Sequence, residues 1–209
     1  MDGGPIWCTA RFGKTTTNLP DGTTVEIAGE HEDSYDPDFY IYNDVIVYGP
    51  GVSRAEGHSD LVIYGYPEAE FPQTDFHSAT YIPQLNQILI LGNMSSGDED
   101  DALAARGITP VYLLEVGTWR INKKETLGDG PGIIWRHVAE VTNGGLRVSA
   151  AEGVADYEKT KRKAFKDGKS EGVEVESGTV WELSLEDWTW KQKASETTVP
   201  GEEKKSADS

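Results

Sequence analysis

"TDFHSATYIPQLNQILILGN", residues 74–93, decides how the chain is read. A polar head, Asp75-Phe76-His77-Ser78, enters a strand-like stretch. A turn follows at Gln84-Leu85-Asn86, and an apolar return, "QILIL", stops on Gly92-Asn93. Found once, this pattern is a hairpin. It is found three times. Residues 11–30, "RFGKTTTNLPDGTTVEIAGE", turn at Pro20-Asp21-Gly22, return on "TTVEIA" and end on Gly29-Glu30. Residues 136–152, "RHVAEVTNGGLRVSAAE", turn at Asn143-Gly144-Gly145, return on "LRVSA" and end on Ala150-Ala151. Asp-Gly and Asn-Gly are strong hairpin chemistry because both tolerate positive φ.

The continuations agree as well. "YIYNDVIVYGP" (40–50), "TPVYLLEVG" (109–117) and "SGTVWELSLED" (177–187) alternate bulky and polar residues, which predicts half-buried third strands. "DLVIYGY" (60–66), "TWRINKKE" (118–125) and "WTWKQK" (188–193) read as fourth strands. Pro5, Pro72, Pro131 and Pro200 punctuate the series. A unit of four antiparallel strands repeating at about 60 residues predicts a propeller blade.

Composition bounds the rest. The 209 residues carry 19 Lys+Arg against 36 Asp+Glu, a net charge of −17, which repels nucleic acid and anionic membranes. No 20-residue apolar span occurs, and "MDGGPIWCTARFG" lacks a basic-then-apolar leader pattern. The single cysteine, Cys8, cannot pair internally and fits a reducing compartment, read as cytoplasmic. Beside Trp7 it reads as a packing residue. Twenty-three glycines and a 10% aromatic share, with short β-branched runs, predict an all-β domain.

The sequence resembles the kelch-repeat β-propellers. The likeness is carried by "HSAT…ILILGN" (77–93), by Arg11 and Arg136-His137 at the start of the inner strand, and by Trp119 and Trp190. The double glycine of that family is degraded here to Gly29-Glu30, Gly92-Asn93 and Ala150-Ala151. The resemblance implies one domain over residues 5–199, with blades at about 5–71, 72–130 and 131–199, and a disordered polar tail at 200–209. The inner strands would cover residues 12–18, 76–82 and 136–142. Propellers have four to eight blades. Three leave two flanks of on the order of 300 Å² each, costing about 8 kcal/mol apiece if apolar. The expectation is therefore half of a six-bladed ring completed by self-association, self-association of another kind, or a truncated gene product.

Other segments offer chemistry in outline. Glu30, Glu32, Asp33, Asp36 and Asp38 could supply oxygen ligands, but their spacing lacks the central Gly and terminal Glu of an EF-hand, so a solvated loop and no metal are expected. "GDEDDALAARG" (97–107) reads as a short capped helix. "DYEKTKRKAFKDGK" (156–169) is a basic cluster suited to an acidic partner, a second copy or nuclear targeting, and otherwise a solvated lobe. Of His31, His58, His77 and His137, only His77 and His137 fall at matching repeat positions. There a polar side chain near the axis, bonded to a neighbouring blade, explains them. No serine, cysteine or threonine stands in a recognisable nucleophile motif.

The function expected is a non-enzymatic protein-interaction scaffold without cofactor or catalytic residues. It would bind an unidentified protein through rim residues Arg11, Asp75, His77, Arg136 and His137, with Trp135 as aromatic anchor. The alternative is a small-molecule or sugar-binding enzyme in which His77, Asp75 and Arg136 line a pocket on the axis. The two differ in geometry: convergence on one concave site against pairing within the structure.

Overall fold

The computed structural model describes residues 7–31, 40–50, 61–93, 109–149, 152–154 and 179–193. Among these there is no helix, and hence none long and apolar enough to cross a membrane. The strands form three four-stranded antiparallel sheets and one two-stranded ladder. Sheet 1 runs in order β1 (Thr15–Asn18), β2 (Thr24–His31), β3 (Tyr40–Tyr48) and β4 (Leu61–Gly65). Sheet 2 is β5 (Ser78–Ile82), β6 (Gln87–Leu91), β7 (Val111–Glu115) and β8 (Ile121–Lys123). A short β9 (Ile133–Trp135) pairs with β12 (Glu152–Val154). Sheet 3 is β10 (Val138–Val141), β11 (Gly145–Ser149), β13 (Val180–Ser184) and β14 (Trp190–Lys193). Each repeat of the sequence supplies one four-stranded sheet whose strands fall in the expected segments, β2 running one residue past its own, to His31; the β9–β12 ladder was not expected. The acidic segment at 32–39, the helix read at 97–107, the basic cluster at 156–169 and the tail at 200–209 lie outside the described residues.

Alternation explains why the sheets stack. On β6, Ile88 and Ile90 face sheet 1, while Leu89 and Leu91 face sheet 3. The run "ILIL" is continuous because the middle sheet is buried on both faces. Val25, Ile27, Val45 and Val47 of sheet 1 meet Ile88, Ile90, Leu114 and Ile121 of sheet 2, with Phe71 fully buried among them. Leu89, Leu91, Val111 and Leu113 meet Leu146, Val148, Trp181, Leu183 and Trp190 of sheet 3. Each such side chain removed from water contributes about 1.5–3 kcal/mol.

Two alignments are corrected by the bonding. Gly29 N–H donates to Thr74 C=O (2.9 Å), and Asn93 N–H donates to Ile134 C=O (2.9 Å). These matching bonds make Ala28-Gly29, not Gly29-Glu30, the counterpart of Gly92-Asn93. Ala28 and Gly92 both take positive φ, 50° and 78°. A β-bulge between Ile27 and Gly29 hid the offset. Likewise Trp119 matches Trp188, not Trp190: both stand two residues ahead of the fourth strand at φ 58°. Each hands its carbonyl to the preceding sheet's residues, to Tyr66 Oη–H (2.6 Å) and to Leu127 N–H (2.9 Å) respectively.

The two outer flanks are not the open apolar faces that the three-sheet count suggested. On the outer face of sheet 3 lie Glu140, Arg147, Glu182, Lys191 and Lys193, because their cross-strand register is opposite to that of Val148, Trp181 and Trp190. Lys193 donates to Glu182 at 2.8 Å on that surface. The outer face of sheet 1 includes Glu26, Ile46 and Tyr48, all buried.

Candidate functional site

The first strands of successive sheets adjoin, β1 beside β5 and β5 beside β10. A repeated three-residue junction sits just ahead of each: Gly13-Lys14-Thr15, Phe76-His77-Ser78 and Arg136-His137-Val138. The leading residue takes positive φ every time, 61°, 47° and 50°. That turn aims each peptide at its neighbour. Phe76 N–H donates to Gly13 C=O at 2.8 Å, and Arg136 N–H donates to Phe76 C=O at 2.8 Å. The strands therefore begin two or three residues later than periodicity alone predicts.

The side chains repeat the link. His77 Nε2 lies 2.8 Å from Thr15 Oγ1, and His137 Nε2 lies 2.7 Å from Ser78 Oγ. Each imidazole thus joins its own sheet to the hydroxyl at the head of the preceding one. Both Nδ1 atoms are buried without a hydrogen-bond partner. An orphaned N–H costs more than an orphaned lone pair, so the proton is assigned to Nε2 and the hydroxyl oxygen accepts. Burial pushes His77 down to about 3, with His137 adding to the effect, and burial pushes His137 down to about 4. Both rings are neutral at physiological pH.

Arg11 is not on a rim. Its side chain is buried, lies against Tyr42 (3.4 Å to the ring centre), and forms a two-pronged ion pair with Asp44, Nη2 to Oδ2 at 2.9 Å. Its Nε donates to Cys8 C=O at 2.6 Å, and Trp7 Nε1 donates to Asp44 Oδ2 at 2.9 Å. Arg11 therefore clamps residues 7–11 onto sheet 1, and its junction counterpart of Arg136 is Gly13. Asp75 is fully buried, and its N–H donates to Asn93 Oδ1 at 3.1 Å. Asn93 Nδ2 donates onward to Gln73 C=O at 3.2 Å, stapling the approach to β5. The aromatic anchor Trp135 is half-buried in β9. Arg136 is exposed, its guanidinium 4.5 Å from the centre of the Phe76 ring.

Of the six residues expected to bind, the structure leaves Trp135 and Arg136 at the surface and uses Arg11, Asp75, His77 and His137 inside. Sequence reasoning missed Phe12, 66% exposed, and the half-buried Phe76. The signal was available: Phe12 and Trp135 both directly precede the junction's turning residue. Phe76 packs where a Cβ on Gly13 would sit, 2.9 Å away, and Arg136 lies over the Phe76 ring, so Phe76 and Arg136 continue the junction row at the surface. Among the described residues, no group of three or more His, Cys, Asp or Glu side chains is placed to hold a metal ion. A shallow groove of about 260 Å³ opens beside Thr142, Gly145, Glu182, Ser184, Lys191 and Lys193, and none of the six residues lines it.

No family model and no curated protein matches the chain. Among solved structures, the structure of YjhT matches 94% of this chain at 13% identity, with a TM-score of 0.49. The chain spans 54% of the length of that structure.

Proposed function

We infer that the chain is a non-enzymatic protein-interaction module built on a kelch-like arc of three propeller blades. Supporting the blade reading are three successive four-stranded sheets whose first strands adjoin and whose faces pack in chain order. The observation that carries the functional reading is the fate of the histidines. The two imidazoles at repeat positions are committed to hydroxyls of the neighbouring sheet and buried, so neither stands ready as an acid, a base or a ligand. What the junctions leave at least partly exposed is aromatic and cationic: Phe76 and Arg136 in the row itself, and Phe12 and Trp135 directly ahead of two of its turning residues. Aromatic and arginine side chains are the types that dominate binding energy at protein interfaces. The partner would be a protein offering carboxylates or carbonyls to Arg136. The acidic composition and lone Cys8 favour a cytoplasmic setting, with a nuclear one as the alternative.

Affinity capture from cells that make the protein tests this. Phe12→Ser with Arg136→Ala should lose specific partners that wild type retains, while Leu127→Ser, remote from the row, keeps them. Identical partner sets for all three would remove the row as the binding surface.

A further inference from the structure

Each sheet ends in an outer edge strand, and the three edges differ. An unpaired edge exposes backbone N–H and C=O groups that can template another strand, so proteins shorten such edges or arm them with lysine. β8 is three residues long and carries Lys123, with Lys124 next. β14 carries Lys191 and Lys193. β4 has neither defence. It is five residues long, "LVIYG", without a charged side chain, and among the described residues it pairs with β3 alone. Val62 is 50% and Ile63 43% exposed. They point to opposite faces, so both sides of the edge are apolar.

The end of β4 is held firmly and is acidic. Asn43 Nδ2 donates to Tyr66 C=O and to Phe71 C=O, each at 2.9 Å. Pro67 C=O accepts from Glu70 N–H (2.9 Å) and Phe71 N–H (3.0 Å), closing a turn that displays Glu68 and Glu70 to solvent. A strand added here would find a fixed backbone ladder with two carboxylates at one end.

We propose that the β4 edge binds an extended segment of another protein by antiparallel strand addition, the segment having alternating apolar residues preceded by Lys or Arg. Antiparallel pairing brings the incoming N-terminal end beside Glu68 and Glu70, which selects the basic flank. A second copy is the poorer occupant: each chain carries a net charge of −17, and pairing β4 with β4 brings both acidic turns into one interface. This surface is separate from the junction row, so either assignment can fail without the other.

The test uses a fluorescein-labelled peptide, Lys-Arg-Lys-Thr-Val-Thr-Ile-Thr-Val, followed by polarisation with the full chain. Saturable binding is expected, lost with Val62→Lys/Ile63→Lys and weakened about tenfold with Glu68→Lys/Glu70→Lys at low salt. Arg136→Ala should leave it unchanged. A peptide with Glu in place of the three basic residues should fail to bind. Amide exchange on wild type supplies a second readout that needs no variant: the peptide should protect residues 61–65. Binding indifferent to the Val62/Ile63 change, or no protection of β4, overturns the proposal. Concentration-dependent dimerisation of the free chain that Val62→Lys/Ile63→Lys abolishes would assign the edge to a second copy and overturn the occupant.

Discussion

Gly92 shows how much one missing side chain can decide. Its φ of 78° is the left-handed region, where a Cβ is strained. A Cβ there would also stand 2.3 Å from Ile134 C=O and 2.6 Å from His137 Cε1. Backbone and imidazole of the third sheet's approach both occupy the space a methyl would need. Gly117 is the control: φ is 97°, yet nothing lies within 4 Å of its would-be Cβ. Gly92→Ala should therefore destabilise by about 3 kcal/mol or more, adding steric clash to backbone strain, while Gly117→Ala should cost about 1 kcal/mol. Urea unfolding of the two variants against wild type measures the gap; equal losses would mean that the second and third sheets do not meet at Gly92.

At the scale of the element, the junction is a hydroxyl–imidazole strut between consecutive first strands, and it predicts acid sensitivity. Both histidines have folded pKa values below the ordinary 6.5, about 3 for His77 and about 4 for His137. The unfolded chain binds those protons first. The stabilisation is therefore complete above about pH 6.5 and is lost as pH falls toward 4, at about 1.4 kcal/mol per pH unit for each histidine. His77→Gln/His137→Gln removes these titrations while keeping a polar side chain, so its stability should fall less steeply between pH 6.5 and 4.5 than that of wild type. Parallel slopes would place the histidines in water. The same element shows what could be read in advance. Hairpins and alternation set all three four-stranded sheets in sequence, because turn residues and period-2 burial are local. The pairing of His77 and His137 as equivalent positions was visible too. A bond from each to the neighbouring unit was expected as well; the partners and the depth of burial were not, since Thr15 and Ser78 arrive from a different sheet 62 and 59 residues away. Arg11 was misread for a similar reason. Its partner Asp44 lies on β3, 33 residues on, and a lone arginine near a strand start looks the same whether it meets solvent or a carboxylate.

For the whole molecule, the question is whether three sheets want a fourth. The junction row answers from both ends. The first junction carries Lys14 where the others carry histidine, and Lys14 Nζ is already bonded to Glu26 Oε2 (3.0 Å) and Thr9 C=O (2.8 Å). The third carries Val138 where the others carry a hydroxyl, and it is 48% exposed. A second copy docked head to tail would set Val138 of one chain against Lys14 of the next, with no strut to form and an ammonium to desolvate. The flanks agree. Glu140, Arg147, Glu182, Lys191 and Lys193 make the outer face of sheet 3 a charged surface, and Glu26, Ile46 and Tyr48 are already buried on that of sheet 1. Like net charges of −17 oppose the encounter further. Light scattering at physiological salt should therefore give the mass of one chain throughout the micromolar range. A stable two-chain species that Lys191→Glu/Lys193→Glu dissolves would show that the charged flank is an interface after all, and that the row of struts can stop at each end while the stack continues.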